Sequence, residues 1–239
     1  MTRVSGQPVF ILHRYEYGET SLVLECLTPE FGRVGVLAKG VRRANAGYRN
    51  LDPFAPLLIG WSGRGELPVL THVEPYGIPL ALSGRALWCG FYVNELVMAL
   101  LHRHDAHPGI FHAYARVLKL ITDKGRQDAE LRLFELVLLR ELGYGLILDG
   151  EAGNRVALEP DTLYRYAFDS GPCKGTGEGV PVHGRTLIAL GCGQIGDGEA
   201  RREARRLLKA AIDRQLRAPL RTPKLFRQIS QHATLVLKP

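Results

Sequence analysis

The strongest constraint on the fold is a change of hydrophobic period near residues 75–79 of this 239-residue chain. Upstream of it, β-branched and aromatic runs alternate with turn residues, which is typical of short strands joined by tight connections. Downstream, apolar residues recur every three to four positions, the period of an amphipathic helix. The sequence therefore predicts an α+β chain, with a β domain over residues 1–79 and a helical domain over residues 80–239. The five predicted strands are residues 8–15, 20–28, 33–39, 55–62 and 66–74.

Five short strands with one long irregular connection favour a small closed barrel. An OB-fold is the natural candidate, although an SH3-like barrel gives a similar pattern and periodicity alone does not choose between them. The barrel interior would be filled by every second residue of each strand.

The helical part begins at Ser83, which is positioned to cap a helix that ends near residue 101. A second helix follows Pro108, because proline is tolerated in the first helical turn. A third is predicted from Asp128, as its cap, to the stop at Gly143. Residues 145–181 are Gly-rich and predict an irregular insertion with a little β structure. Three more helices are predicted at residues 184–190, at residues 197–216 and, as a short final helix, from residue 222.

Charge is unevenly distributed along the chain. The net charge is +7, yet residues 199–239 alone hold eleven Lys and Arg against three Asp and Glu, so the residues before them sum to −1. On the helix predicted over residues 197–216, the cations recur at spacings that place several on one face. Such a concentration favours a polyanionic partner over a surface that serves only solubility. The cations of this helix are Arg201, Arg202, Arg205, Arg206 and Lys209.

A second group of cations lies between the third and fourth predicted strands, where acidic residues are almost absent. Exposed cations beside aromatic rings suit a binder of single-stranded nucleic acid, because cations neutralise phosphates and rings stack on bases of any identity. A solvated hairpin loop that only keeps an edge strand soluble explains the same pattern. The residues of this group are Lys39, Arg42, Arg43, Tyr48 and Arg49.

Metal and disulfide chemistry receive little support from the sequence. The four cysteines form no C-x-x-C pair, which a structural zinc site usually shows. His102, His104 and His107 lie close together, but not at the i, i+4 spacing that brings two imidazoles to one ion. We therefore expect no metal and no cofactor.

Residues 191–196 read GCGQIG and match G-x-G-x-x-G in letters. A dinucleotide site also needs a preceding core strand and an acidic residue about 20 positions further on. Here the preceding residues end a predicted helix, and Asp213 falls within the next one. We interpret the segment as a linker between helices. No Walker A loop, G-x-S-x-G elbow or H-E-x-x-H motif occurs, which weakens every enzymatic interpretation.

The order of motifs resembles the RecO family of bacterial recombination mediators. The similarity is carried by FILHRYEYGETSLVLECLTPEFGRVGVLAKGVRR and LDPFAPLLIGWSGRGEL, and then by LSGRALWCGFYVNEL, LRLFELVLLRELGYGL, LYRY and PLRTPKLFRQI. It covers nearly the whole chain and weakens only through residues 149–161 and 169–181. The resemblance implies an N-terminal OB-fold joined to a helical domain.

The resemblance also implies a function in the RecF pathway of DNA repair. Members of the family bind single- and double-stranded DNA and anneal complementary strands coated by single-strand-binding protein (SSB). With RecR they help RecA load onto coated DNA. No catalytic residues are implied, because nothing covalent is made or broken. Some members carry a four-cysteine zinc site, a pattern from which this chain departs. A cytoplasmic, nucleoid-associated protein is expected.

A DNA-binding surface on the barrel follows from the resemblance. Tyr15, Tyr48 and Trp61 are candidates for stacking on bases, although Trp61 is equally well explained as a core residue. The cations expected to contact DNA are Arg33, Lys39, Arg42, Arg43, Arg49 and Arg64.

The helical domain binds the acidic, apolar C-terminal tail of SSB in this family. An apolar pocket rimmed by cations suits such a tail. Arg132 is the leading candidate for this contact, and a surface ion pair with Glu135 explains the same residue. Arg206 and Lys209 are further candidates.

Two other classes of function remain open from the residues alone. One is an OB-fold protein that binds RNA in translation or ribosome assembly, which competition between DNA and RNA oligomers would distinguish. The other is a nucleotide-dependent transferase that uses residues 191–196, for which a dinucleotide should raise the melting temperature.

Overall fold

The computed structural model describes residues 2–42, 51–153, 155–175, 177–196 and 198–236. The chain divides into two compact units. The first unit joins residues 1–122 to residues 220–239, and the second unit spans residues 123–219. Among the described residues, no helix has the length and apolar character that crossing a membrane requires.

Five strands of the first unit close into a barrel with the order β1-β2-β3-β5-β4. Neighbouring strands are antiparallel except β3 and β5, which are parallel and pair only at Leu37 and Val69. The expected OB-fold is confirmed, and the SH3-like alternative is set aside. The strands are β1 (Thr2–Tyr17), β2 (Ser21–Thr28), β3 (Gly32–Ala38), β4 (Pro56–Gly63) and β5 (Val69–Pro75).

Helices follow the barrel, with a small sheet inserted among them. Ser83 occupies the N-cap position of the first helix, as predicted, although its side chain makes no capping hydrogen bond. The third helix is capped at Arg126 rather than at Asp128, and the last helix is longer than the short one expected. The helices are α1 (Gly84–Leu100), α2 (Pro108–Leu120), α3 (Gln127–Glu141), α4 (Gly184–Gly191), α5 (Gly198–Asp213) and α6 (Thr222–Val236).

The barrel core is built from alternate residues of its strands, among them Leu24, Cys26 and Val36. Burial raises the pKa of the Cys26 thiol, so this cysteine is a small apolar core residue. Trp61 belongs to the same core, where its ring meets Phe31 edge to face at 5.3 Å. Trp61 is therefore not available to stack on bases, and its core interpretation is the correct one.

In the first unit, α1 and α2 pack against the outside of the barrel. The ring of Phe10 on β1 contacts Tyr114 of α2 at 5.0 Å between centroids. The Tyr114 hydroxyl donates to Asn94 Oδ1 at 2.6 Å, and Asn94 Nδ2 donates to the Leu12 carbonyl at 2.8 Å. This buried chain of hydrogen bonds fixes both helices to the irregular point of β1, where Leu12 interrupts the pairing with β2.

The second unit contains α3, α4, α5 and an antiparallel sheet in the order β7-β6-β8. The insertion predicted over residues 145–181 is thus more regular than expected, with three strands where the sequence indicated one. Short segments such as Gly171–Cys173 carry too little pattern to be recognised without their partners. The strands are β6 (Leu163–Ala167), β7 (Gly171–Cys173) and β8 (Val180–His183).

Candidate nucleic-acid interface

Aromatic side chains line the outer face of β1 at every second residue. Leu24 and Cys26 on β2 point into the barrel, so the residues that alternate with them on β2 face outward. The β1 partners of these outward-facing residues are His13, Tyr15 and Tyr17, which therefore lie on the outer side as well. Tyr15 is 45% exposed and Tyr17 is 53% exposed. His13 contacts Tyr15 edge to face, with 4.5 Å between ring centroids. The strand thus holds the rings of these three residues next to one another on one face of the sheet.

The register of β2 and β3 extends this face sideways. Tyr15 pairs with Val23, which in turn pairs with Leu37, and both aliphatic side chains are partly exposed. We call His13, Tyr15, Tyr17, Val23 and Leu37 the aromatic face. Of these residues the sequence indicated only Tyr15. The alternation of rings in HRYEY was the signal that could have identified His13 and Tyr17.

Three of the expected DNA-binding cations are exposed around the barrel. Lys39 directly follows β3, and Arg64 lies in the turn between β4 and β5. Arg42 is also exposed and forms an ion pair with Glu16 at 3.3 Å. The other expected contacts of the β3–β4 connection, Arg43, Tyr48 and Arg49, lie outside the described residues.

Arg33 was expected on the DNA-binding surface, but its side chain is mostly buried. Its Nη1 donates to the Met98 carbonyl of α1 at 2.6 Å, and its Nε lies 3.8 Å from Glu25 Oε2. Burial lowers the pKa of the Arg33 guanidinium, partly opposed by the nearby Glu25 carboxylate. The side chain links β3 to α1 within the first unit, and this explains its position without a DNA contact.

A second cation, which the sequence did not indicate, pairs with the same carboxylate. Arg103, in the connection between α1 and α2, forms an ion pair with Glu25 through Nη2. That hydrogen bond raises the pKa of Arg103, although burial opposes the effect. Nothing local in the sequence places this arginine on the barrel, because the contact depends on how residues 103–106 pack against β3.

The second unit presents a row of cations along α5. The apolar residues Leu207 and Leu208 are buried, and the cations that precede and follow them on the helix are exposed. Arg206 donates to the Pro181 carbonyl at 2.7 Å, and Lys209 forms an ion pair with Asp213. We call this row the α5 basic face, and its exposed members are Arg202, Arg205, Arg206 and Lys209.

Arg132 is not part of an exposed surface. It is 5% exposed on α3, and its Nη2 lies 2.6 Å from Oε1 of Glu135, which is fully buried. The alternative interpretation was a surface ion pair with Glu135. Glu135 is indeed the partner, but the pair is buried and does not lie on the surface. A guanidinium held in this way supports α3, so Arg132 is not offered to a peptide partner in this arrangement.

One group of metal-ligating side chains gathers among the described residues, and it does not include the histidines at positions 102–107, whose spacing did not favour a metal site. His183, Glu199 and Glu203 place ligand atoms within 4.8 Å of one another. Both carboxylates already have protein donors. Glu203 accepts from the Thr186 hydroxyl at 2.7 Å and from the His183 backbone N–H at 3.0 Å, and Glu199 pairs with Arg185 at 2.8 Å. The cluster is explained as an ion-pair network that requires no metal.

The glycine motif at residues 191–196 directly continues α4, whose last residue is Gly191. A dinucleotide site requires a strand at that position. The segment therefore connects α4 to α5, as the linker interpretation predicts.

Comparison with known proteins identifies relatives over almost the whole chain. Residues 1–78 match the family model "Recombination protein O N terminal", and residues 82–224 match "Recombination protein O C terminal". The DNA repair protein RecO of Methylococcus capsulatus is 44% identical over 231 residues, 96% of each chain. That of Dechloromonas aromatica is 40% identical over 239 residues, 96% of this chain and 98% of the relative. That of Coxiella burnetii is 42% identical over 228 residues, 94% and 98% of the two chains.

Proposed function

Because this chain belongs to the RecO family of DNA repair proteins, we propose that it is a recombination mediator that binds and anneals DNA strands without covalent chemistry. It binds single- and double-stranded DNA and anneals complementary strands coated by SSB. With RecR it promotes the loading of RecA. The place of this activity is the cytoplasmic nucleoid, where such DNA is found.

The aromatic face is the observation that carries the proposal. Tyr15 and Tyr17 are two residues apart on one strand, so their Cα atoms are separated by about 7 Å. That is about twice the 3.4 Å rise of a stacked strand, so the two rings can receive two bases of an unstacked strand. Ring faces accept any base, which a protein that works on strands of any sequence requires.

Cations exposed on the barrel supply the phosphate contacts. Lys39 and Arg42 follow β3, and Arg64 is exposed in the β4–β5 turn. We retain Arg43, Tyr48 and Arg49 in the proposal on the sequence pattern alone. Because attraction to phosphates releases counterions, affinity should fall by about 0.7 logarithmic units per contacted phosphate for each tenfold rise in salt.

The α5 basic face is the proposed contact for the tail of SSB. The tail offers carboxylates, and guanidinium groups bind carboxylates through paired hydrogen bonds. Arg206 and Lys209 are retained from the expected set, and Arg202 and Arg205 join them because they are exposed beside them. Arg132 contributes only by supporting α3 through Glu135.

The proposal is tested by removing both tyrosine rings. Tyr15→Ala/Tyr17→Ala should weaken binding of a fluorescein-labelled oligo-dT by tenfold or more, because each stacked base contributes about 1–3 kcal/mol. Tyr76→Ala is the matched control, since Tyr76 is equally exposed but its backbone pairs with Pro56 at another part of the barrel. Fluorescence anisotropy measures both.

Unchanged affinity in the double variant would exclude the aromatic face as the binding surface. The same titration with an RNA oligomer as competitor separates the two nucleic-acid functions. Stronger competition by RNA than by DNA would favour the role in translation. Annealing of complementary strands, bare and coated by SSB, then tests the mediator activity itself.

A further inference from the structure

The connection between α1 and α2 is built into the wall of the barrel. Arg103 forms bridges with Gly32 and Arg33 of β3, and the His104 N–H donates to the Arg33 carbonyl at 2.9 Å. The approach is close because Gly32 has no side chain. A Cβ at that position would lie 2.0 Å from the Asp105 carbonyl oxygen. The backbone position of Arg103 is therefore fixed by the strand beside it.

The side chain of Arg103 is fixed as well. It extends across β3 to Glu25 of β2, a carboxylate that is only 2% exposed. It passes directly over Gly35, where a Cβ would lie 3.0 Å from Nη2 of the arginine. The buried carboxylate of Glu25 binds the guanidinium, and Gly35, which has no side chain, leaves room for it. The guanidinium is therefore held in one orientation.

Two guanidinium groups, those of Arg33 and Arg103, share the buried carboxylate of Glu25. The exposed carboxylate of Glu66 also interacts electrostatically with Arg103. Arg33 is mostly buried and donates to the Met98 carbonyl. The Arg103 side chain is 33% exposed, and Glu25 is its hydrogen-bond partner within the described part of the chain. Of the two guanidinium groups, the one that reaches solvent is therefore that of Arg103.

Arg103 also borders the aromatic face. Its guanidinium lies close enough to Tyr15 for the two groups to interact electrostatically. Its partner Glu25 pairs with His13, and the next pair of residues on the same side of the sheet is Tyr15 and Val23. A guanidinium carries five N–H donors in a planar fork, and the bond to Glu25 leaves the others for an oxyanion.

We propose that Arg103 binds a phosphate of the single strand whose bases stack on Tyr15 and Tyr17, and that Glu25 positions its guanidinium for this contact. The inference rests on the proposed function. It makes the DNA-binding surface composite, because Arg103 belongs to the part of the chain matched by the C-terminal family model and the tyrosines to the part matched by the N-terminal one.

Arg103→Ala tests the contact in the full chain. Affinity for oligo-dT and for a mixed-sequence oligomer should fall by a similar three- to tenfold, because a phosphate contact carries no sequence information. The slope of log affinity against log salt should decrease by about 0.7, the contribution of one phosphate on a single strand. Arg85→Ala is the control, since Arg85 is exposed at the opposite end of α1.

Arg103→Lys serves if the alanine variant does not fold, which thermal unfolding reports. The lysine keeps the ion pair with Glu25 but has no second arm for a phosphate, so a fall of about threefold is expected. Unchanged affinity and salt slope in either folded variant overturn the inference alone. A wild-type chain that does not bind the oligomers overturns the proposed function as well.

Discussion

Two glycines of β3 accommodate the α1–α2 connection in different ways. At Gly32 the backbone has φ of +62° and an added Cβ would collide with the backbone carbonyl of Asp105. At Gly35 the nearest atoms belong to the guanidinium of the Arg103 side chain and not to the backbone. The two positions therefore separate the packing of the connection from the placement of the guanidinium.

Gly32→Ala should destabilise the chain by about 3 kcal/mol, since left-handed strain and a backbone clash act together. Gly35→Ala should change the free energy of unfolding by less than about 1 kcal/mol and still weaken oligonucleotide binding, because the methyl group displaces the guanidinium. Urea unfolding and anisotropy measure the two effects. Full affinity in a stable Gly35→Ala variant would show that the orientation of Arg103 is unimportant.

Single residues were predicted well where exposure follows from strand or turn position, and poorly where it depends on a distant partner. Tyr15 and Arg64 are exposed as expected. Arg33 is buried because β2 places Glu25 beside it and α1 offers a carbonyl. Arg132 is buried although its partner is only three residues away. A lone guanidinium in a sequence does not reveal whether a carboxylate will neutralise it in the interior.

At the scale of elements, Glu203 joins α5 to the beginning of α4. Its carboxylate accepts hydrogen bonds from the His183 backbone and the Thr186 hydroxyl, both at the N-terminus of α4. Burial alone would raise the pKa of Glu203, but these bonds and the His183 ring outweigh it and hold the pKa below its ordinary value of 4.5. The carboxylate thus ties α5 to the residues that begin α4.

This lowered pKa fixes the sign of a pH effect. A carboxyl with a depressed pKa in the folded state contributes stability above its unfolded pKa and loses it as pH falls through the folded value. Glu203→Gln should cost about 2 kcal/mol at neutral pH and should flatten the loss of stability below pH 4.5. Denaturant unfolding between neutral and acidic pH measures this. Glu178→Gln, at an exposed position, is the control. If the free energy of unfolding had the same pH profile in the wild type and both variants, this role of Glu203 would be contradicted.

A second carboxylate caps α6. Glu95 of α1 accepts the backbone N–H groups of Arg221 and Thr222 at 2.6 and 2.9 Å. Nearby, the Trp88 ring lies 5.8 Å from that of Phe226. The first turn of α6 is therefore held to α1 by charge–backbone hydrogen bonds and by one aromatic contact.

Glu95→Gln should loosen α6, because the amide offers one acceptor oxygen instead of two and has no charge to interact with the helix N-terminus. We expect a loss of about 1 kcal/mol in the stability of this contact, faster hydrogen exchange in α6 and a red shift of Trp88 emission. The other tryptophan, Trp61, is buried in the barrel and gives a constant background. Glu19→Gln is the control. An unaltered spectrum and exchange rate would argue against the cap.

The hydrophobic pattern predicted the five strands of the barrel, and Ser83 and Pro108 predicted where α1 and α2 begin. The elements that escaped were those stabilised by partners. The first residues of β1 pair with β4 across an irregular point, so the strand begins at Thr2 rather than at residue 8. In the same way, β7 and β8 flank β6 and have too few residues to be recognised alone.

At the scale of the whole molecule, the two proposed working surfaces belong to different units. The aromatic face lies in the first unit and the α5 basic face in the second. The net positive charge of the chain falls in the residues from 199 onward, which include α5 from its second residue. Local position along the sequence thus predicted two separate groups of exposed cations, and anion binding by each of them stays a prediction.

Charge reversal on α5 separates the two surfaces. Arg202→Glu/Arg205→Glu should leave oligo-dT affinity within about twofold of the wild type and should slow annealing of SSB-coated strands by tenfold or more, because each reversed cation repels the acidic tail. Tyr15→Ala/Tyr17→Ala should impair annealing of bare and coated strands alike. Stopped-flow fluorescence of labelled strands measures both. If the α5 variant anneals coated strands normally, the tail does not bind there.

The backbone contact of the α1–α2 connection with β3 has a consequence for dissecting the chain. On this side of the strand, β5 pairs with β3 only at Leu37, and the His104 N–H reaches the Arg33 carbonyl. A fragment cut at the sequence boundary, residues 1–79, would leave that stretch of β3 with open N–H and C=O groups. Such an edge recruits a strand from another molecule. Self-association of the isolated barrel would then be a property created by the cut.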